Sequence, residues 1–245
     1  MKAPEKVKFI SNWIKSYVND MPNKAQSLVI GISGGIDSSV SSTLSAMTGI
    51  KTIVLSMPIK QKENQHDLSL KHQEWLLKNF KNVEAHTISL DNLFESFSNT
   101  LGKFENEHGF ANSRARLRMA TLYQVAAANK GIVVGTGNKV EDFGVGFYTK
   151  YGDGGVDISP IADCNKSEVW ELGKEMGILK EIVDAPPTDG LWDDGRTDEG
   201  QLGFKYYELE DAMSNPNSAH RKEYEKIRKQ NLHKMEPIPV CKIPS

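Results

Sequence analysis

The stretch LVIGISGGIDSSVSSTLSAMTG, residues 28–49, changes period halfway along. Leu28 to Ile32 form a short apolar run, the pattern of a strand covered on both faces. Ser33-Gly34-Gly35 interrupts the run, and residues 37–48 read as a helix closed by Gly49. A strand, a glycine turn and a helix N-terminus make an anion site, because unpaired backbone N–H groups converge at the positive end of the helix dipole. Gly34 and Gly35 remove the Cβ atoms that would block close approach. Ser33, Ser38 and Ser39 add hydroxyl donors. The stretch contains neither G-x-x-x-x-G-K-[ST] nor G-x-G-x-x-G. A helix end carries about half a positive charge, worth at most ~2 kcal/mol, which is too little to hold a triphosphate. Asp37 beside phosphates would repel them unless Mg²⁺ lay between. The plainer reading is that Asp37 complements the helix dipole above a tight turn.

The chain has 245 residues, enough to bury a substantial core, and no Pro/Ser-rich linker, repeat or low-complexity tract divides it. One domain over 1–245 is expected. The net charge of −2 and the sequence pI near 6.3 argue against a general nucleic-acid binder. Cys164 and Cys241 are far apart and make no disulfide framework, which favours a reducing compartment. The first residues carry no secretory h-region, and no window approaches the ~18 apolar residues of a membrane span. A cytoplasmic protein without membrane contact is expected.

Along the chain, Ile10, Trp13, Ile14, Tyr17 and Val18 mark a first amphipathic helix ending before Pro22. The Trp13 and Tyr17 stripe reads as core or subunit contact. Strands are expected at 27–32, 51–57, 83–90 and 131–137, and helices at 37–48, 64–80, 91–100 and 112–130. Strands alternating with helices imply an α/β fold with a mostly parallel sheet flanked by helices. Ligands in such folds bind beyond the carboxyl ends of the strands. The glycine-rich junctions at 33–35 and 135–137 both lie there. Further helices are expected at 167–178, 204–213 and 218–230, a long acidic loop at 184–203, and an extended tail from His233.

The segment SGGIDSS, residues 33–39, resembles the pyrophosphate-binding SGGxDS motif of the N-type ATP pyrophosphatases, which cleave ATP to AMP and PPi while activating an oxygen. NSRARLRM (112–119), GTGNKVED (135–142), FYTKYGDGGVDISPI (147–161), NKSEVWELG (165–173), PPTDGLWDDGRTDEGQLG (186–203) and HK (233–234) follow in order. Together they resemble the ammonia-dependent NAD synthetase family over nearly the whole chain. The resemblance implies a Rossmann-like fold of the adenine nucleotide alpha hydrolase type. It also implies a homodimer with active sites near the subunit interface, and synthesis of NAD from deamido-NAD (nicotinic acid adenine dinucleotide), ATP and ammonia.

The resemblance also assigns roles. Gly31, Ile32, Ser33, Gly34, Gly35, Ile36, Asp37 and Ser38 would hold the ATP phosphates, and Thr136, Lys166 and Thr188 would contact ATP. Asp37 and Glu141 would hold Mg²⁺. Arg116, Lys150, Asp157, His233 and Lys234 would contact deamido-NAD. The chemistry suits these residue types: a carboxylate becomes a useful electrophile only as an acyl-adenylate, and charge on phosphates is stabilised by cations rather than by a protein nucleophile. The resemblance makes Asp37, Glu141 and Lys166 the expected catalytic set.

Each assignment has a plain counterpart. Glu141 alone would be a solvated helix-start acid, and Lys166 an exposed lysine. Arg114, Arg116 and Arg118 point in different directions on one helix, so one of them is expected to face substrate, Arg116 first and Arg118 next. Loop 184–203, with Asp189, Asp193, Asp194, Asp198 and Glu199, is expected to order over ATP and exclude water. Its acids would reach a metal or help bind ammonium. Two departures stand out: Ile36 where many relatives carry Gln, and GTGNKVE where many bacterial relatives read GTDHAAE, so Asn138 and Lys139 alter local contacts. The first strand begins too early for a preceding glutaminase domain, so ammonia is the expected nitrogen donor. The alternatives are another ATP pyrophosphatase, tRNA-modifying or GMP-forming, and a nucleotide-binding sensor or electron-transfer subunit.

Overall fold

A computed structural model describes residues 1–60, 63–188 and 197–244, the side chains of 63–66 excepted. Four strands form a parallel sheet in the order β3-β2-β1-β4: β1 Ser27–Gly31, β2 Lys51–Ser56, β3 Val83–Thr87 and β4 Gly131–Val133. The chain runs outward from β1 to β3 and then returns to lay β4 on the other side of β1. The strand order therefore reverses between β1 and β4, and the crevice beyond their carboxyl ends is where such sheets bind ligands. All four strands end short of the expected bounds, β1 and β2 by one residue each and β3 and β4 by more. β3 ends at Thr87, and β4 is continued only by a bridge from Val134 to Ile158.

Alternation along β1 builds the core on both faces. Leu28 and Ile30 pack with helices α1 (Ala3–Asp20), α2 (Ile36–Met47) and α6 (Lys166–Glu175) through Ile14, Leu44 and Leu172. Val29 points the other way, toward Phe94 of α4 (Asp91–Thr100) and Ala126 of α5 (Glu107–Ala128). α3 (Glu63–Asn79) covers the β2–β3 side through Leu76. Ser39, Ser41, Ser42, Thr43 and Ser45 of α2 are buried, which an apolar reading of a core helix would not expect. Most return their hydroxyl to a carbonyl one turn back, as Thr43 does to Ser39 at 2.7 Å and Ser45 to Ser41 at 2.8 Å.

The C-terminal third adds α7 (Lys180–Val183), α8 (Asp198–Leu202), α9 (Tyr206–Ser214) and α10 (Arg221–Met235). α8 lies within the segment expected to be loop, capped by the Thr197 hydroxyl on the Gly200 N–H. α10 runs through His233 and Lys234, so the expected extended tail begins only after Met235. The helix continues because the 143–150 segment holds its far end. The Asn231 side-chain amide donates to the Val145 carbonyl at 3.0 Å, and Lys234 Nζ donates to the Tyr148 carbonyl at 2.9 Å. No described helix is long and apolar enough to cross a membrane.

Candidate active site

The turn after β1 is shaped by its own serines. Gly34 sits at φ +89°, a conformation that an L side chain rarely adopts. The Ser33 hydroxyl accepts from the Gly35 N–H at 3.2 Å, and the Ser38 hydroxyl accepts from the Ser33 N–H at 3.2 Å while donating to the Gly35 carbonyl at 3.0 Å. These bonds hold the turn rigid at the N-terminus of α2. Ile36 is a core side chain: a Cβ on Gly173 would fall 2.6 Å from its Cδ1. The isoleucine thus anchors the turn to α6.

Beyond β4, residues 135–137 lead into a π-helical turn over Lys139–Val145. Asn138, fully buried, starts it. Its side-chain oxygen accepts from the N–H groups of Val140 and Glu141, each at 3.0 Å, and its amide donates to Asp37 Oδ1 at 3.1 Å. One side chain thus ties the β4 turn to the β1 turn. A Cβ on Gly137 would meet Asp142 Oδ2 at 1.9 Å, so a side chain there would displace the Asp142 carboxyl group.

At the junction, Lys166, 1 % exposed at the start of α6, places Nζ 2.5 Å from Asp37 Oδ2 and 2.9 Å from Glu141 Oε1. Burial by itself would pull the lysine down, but the two carboxylates more than reverse this and hold it above its ordinary range. Burial pushes Glu141 up, and Lys166, Tyr206 and Asn138 together bring it below the usual carboxylate range. Tyr206 donates its hydroxyl to Glu141 Oε1 at 2.5 Å and lies 3.4 Å from Asp198 Oδ2. Burial, then the charges of Glu141 and Asp198, hold this phenol far above its ordinary range, so it stays a donor. Burial pushes Asp37 above its ordinary range against the pull of Lys166, so the lysine is shared between one acid held low and one held high. The carboxylate oxygens of Asp37 and Glu141 line the cavity and are hard donors that fit Mg²⁺, which takes one or two carboxylates and completes its shell with phosphate and water.

The cavity above this junction measures about 640 Å³. Every residue expected at ATP lines it, from Gly31 through Ser38 to Thr136, Lys166 and Thr188. None of those expected at deamido-NAD does. Arg116 donates Nε to the Lys150 carbonyl at 3.2 Å, Lys150 donates to the His233 carbonyl at 3.0 Å, and Lys234 is held by Tyr148, so these four form one connected surface beside the cavity. Asp157 accepts from the Val133 N–H at 2.7 Å and the Tyr123 hydroxyl at 3.1 Å, extending the sheet edge. Of the three arginines on α5, the one that lines the cavity is Arg118, whose Nε donates to the Met57 carbonyl at 3.0 Å. Of the acids in loop 184–203, Asp189, Asp193 and Asp194 lie outside the described residues, while Glu199 caps the Tyr206 N–H at 3.1 Å. Sequence reasoning missed Tyr206 as a site residue and treated Asn138 only as a departure. An Asn directly before a helical start was the available signal for the second, and nothing local marks the first.

A family model described as NAD synthase matches residues 6–243. An NH(3)-dependent NAD(+) synthetase from Carboxydothermus hydrogenoformans is 35% identical over 212 residues, 84% of this chain and 83% of that protein. Among solved structures, an NMN synthetase from Francisella tularensis superposes with a TM-score of 0.91 at 34% identity, covering 99% of this chain and 100% of the other. An NH3-dependent NAD synthetase from Campylobacter jejuni shares the fold with a TM-score of 0.78 at 23% identity, covering 99% and 100%.

Proposed function

The chain belongs to the NAD synthase family, and on that premise we infer that its catalytic junction is the Asp37–Lys166–Glu141 cluster. The enzyme is a ligase that forms a C–N bond: it amidates deamido-NAD with ammonia at the expense of ATP, giving NAD, AMP and PPi. The observation that carries the mechanism is the meeting of the two turns, after β1 and after β4, on one buried lysine.

The carboxylate of the substrate attacks the α-phosphorus of ATP and forms an adenylate. PPi departs against the turn at residues 33–38, whose geometry the serine hydroxyls hold in advance by accepting from the N–H groups of Ser33 and Gly35. Lys166 stays protonated and offers its charge to the phosphate oxygens. Asp37 and Glu141 would hold Mg²⁺, which when bound would further neutralise the charge on those oxygens. Thr136 and Thr188, on the cavity wall, contact the nucleotide. Ammonia then attacks the acyl carbon and AMP leaves.

Arg116, Lys150, Asp157, His233 and Lys234 receive the remainder of the dinucleotide where it leaves the cavity. Arg116, Asp157 and His233 are exposed, and in the proposed homodimer a second copy closes over them. The chain is read as one catalytic domain working in the cytoplasm.

A second reading concerns the length of the acid substrate. The likeness to the NMN synthetase is greater than to the NAD synthetase structure at equal coverage of the chain. That favours a mononucleotide acid undergoing the same carboxylate-to-amide step without the adenylyl half. Incubation with ATP, Mg²⁺, ammonium and either deamido-NAD or nicotinic acid mononucleotide, read by mass, tests both. NAD and AMP formed one for one support the first reading. NMN formed much faster than NAD supports the second. AMP with neither amide overturns the acceptor in both readings.

A further inference from the structure

We propose that Tyr206 is a positioning residue for the metal-binding carboxylate of Glu141. The proposal rests on the reading that Asp37 and Glu141 hold Mg²⁺. Tyr206 is 2 % exposed, yet its hydroxyl lies at the catalytic junction and donates to Glu141 Oε1 at 2.5 Å. The same oxygen accepts from Lys166 Nζ at 2.9 Å. Two donors on one oxygen fix the rotation of the carboxyl group, so Oε2 has a single direction available. Fixing a ligand in this way is how a neighbour tunes metal affinity without touching the ion.

The ring of Tyr206 is held from two sides. Trp170 packs edge-on with centroids 5.8 Å apart, and Lys166 Nζ lies 4.9 Å from the ring centroid. The ring therefore supports the lysine while the hydroxyl supports the acid. The backbone N–H of Tyr206 is capped by Glu199, and the hydroxyl is 3.4 Å from Asp198. Both acids belong to α8, so the same tyrosine links α8 to the junction.

The test is Tyr206→Phe, which keeps the ring and removes only the donor. Mn²⁺ binding is measured by electron paramagnetic resonance with a non-hydrolysable ATP analogue, alongside the Mg²⁺ concentration for half-maximal rate and the melting temperature. The expected result is a loss of about 10-fold in Mn²⁺ affinity, a matching rise in the Mg²⁺ requirement, and no further loss when Tyr206→Phe is added to Glu141→Gln. Unchanged Mn²⁺ affinity in Tyr206→Phe, with Glu141→Gln strongly impaired, overturns the role of Tyr206 alone. Unchanged affinity in Glu141→Gln overturns the metal reading beneath it. Should Tyr206→Phe not fold, difluorotyrosine placed at 206 keeps the hydroxyl and strengthens it as a donor. Affinity must then shift, and an unshifted value overturns the proposal.

Discussion

Lys166 reaches Asp37 across 129 positions of sequence, Nζ to Oδ2 at 2.5 Å, and bridges on to Glu141. Three chain segments with no local reason to meet share one buried charge. The arrangement makes the site and its stability depend on the same contact.

Replacing Lys166 with Met leaves Asp37 and Glu141 facing each other without a cation. Breaking a buried pair in this way costs about 3–5 kcal/mol. The loss is expected to be largest above neutral pH and smaller near pH 5, where one carboxylate can take up a proton. Urea denaturation of both proteins at the two pH values measures it. An equal loss at both would contradict the charge argument.

Asp37→Asn and Glu141→Gln remove the two acids in turn. ATP–PPi exchange driven by the acid substrate is expected to fall at least about 100-fold in each. A passive nucleotide binder would instead show weaker ATP binding with no exchange to lose.

His72 of α3 is fully buried, 3.0 Å from the Ser42 hydroxyl, and burial pushes it down to about 4. It folds neutral, whereas the unfolded chain binds its proton near pH 6.5. Stability from this residue is therefore complete above pH 6.5 and lost as pH falls toward 4, by about 2 kcal/mol at pH 5. His72→Gln is expected to flatten that part of the stability profile. A profile with an unchanged slope between pH 6.5 and 5 would exclude His72 as its source.

Gly146 has φ +68°, and a Cβ there would meet Asn231 Cβ at 2.6 Å and Met235 Cε at 2.7 Å. Gly146→Ala is expected to cost about 1–3 kcal/mol and to lift the end of α10 that carries His233 and Lys234. Thermal unfolding and the KM for the acid substrate read the two effects separately. If KM holds while the melting temperature falls, these residues do not meet substrate.

Some of this was legible locally. Leu28–Ile32, the glycine turn and the serine-rich start of α2 announce a buried strand feeding an anion-binding helix end, and all three are found there. Asn138 and Glu141 follow a glycine-ended strand, which placed Glu141 near the site before any contact was known. Other features carried no local mark. Lys166 reads as a surface lysine, since an exposed helix start and a buried one look the same in sequence. Tyr206 sits in a polar helix, and its partner lies 65 positions away. His233 and Lys234 read as tail because the bonds that extend α10 come from residues 143–150, not from α10 itself.

The sequence alone determined the parallel α/β layout, the two glycine turns, the kind of ligand they suit and the family resemblance, because period, turn chemistry and motif order are properties of neighbouring residues. Tertiary structure decided which arginine of α5 lines the cavity, which tyrosine holds Glu141, and that Lys166 is buried between two acids. Those outcomes depend on β4 returning beside β1 and on α6 and α9 packing over the junction. Only that packing removes water from the charges and lets distant side chains settle on the same oxygen atoms.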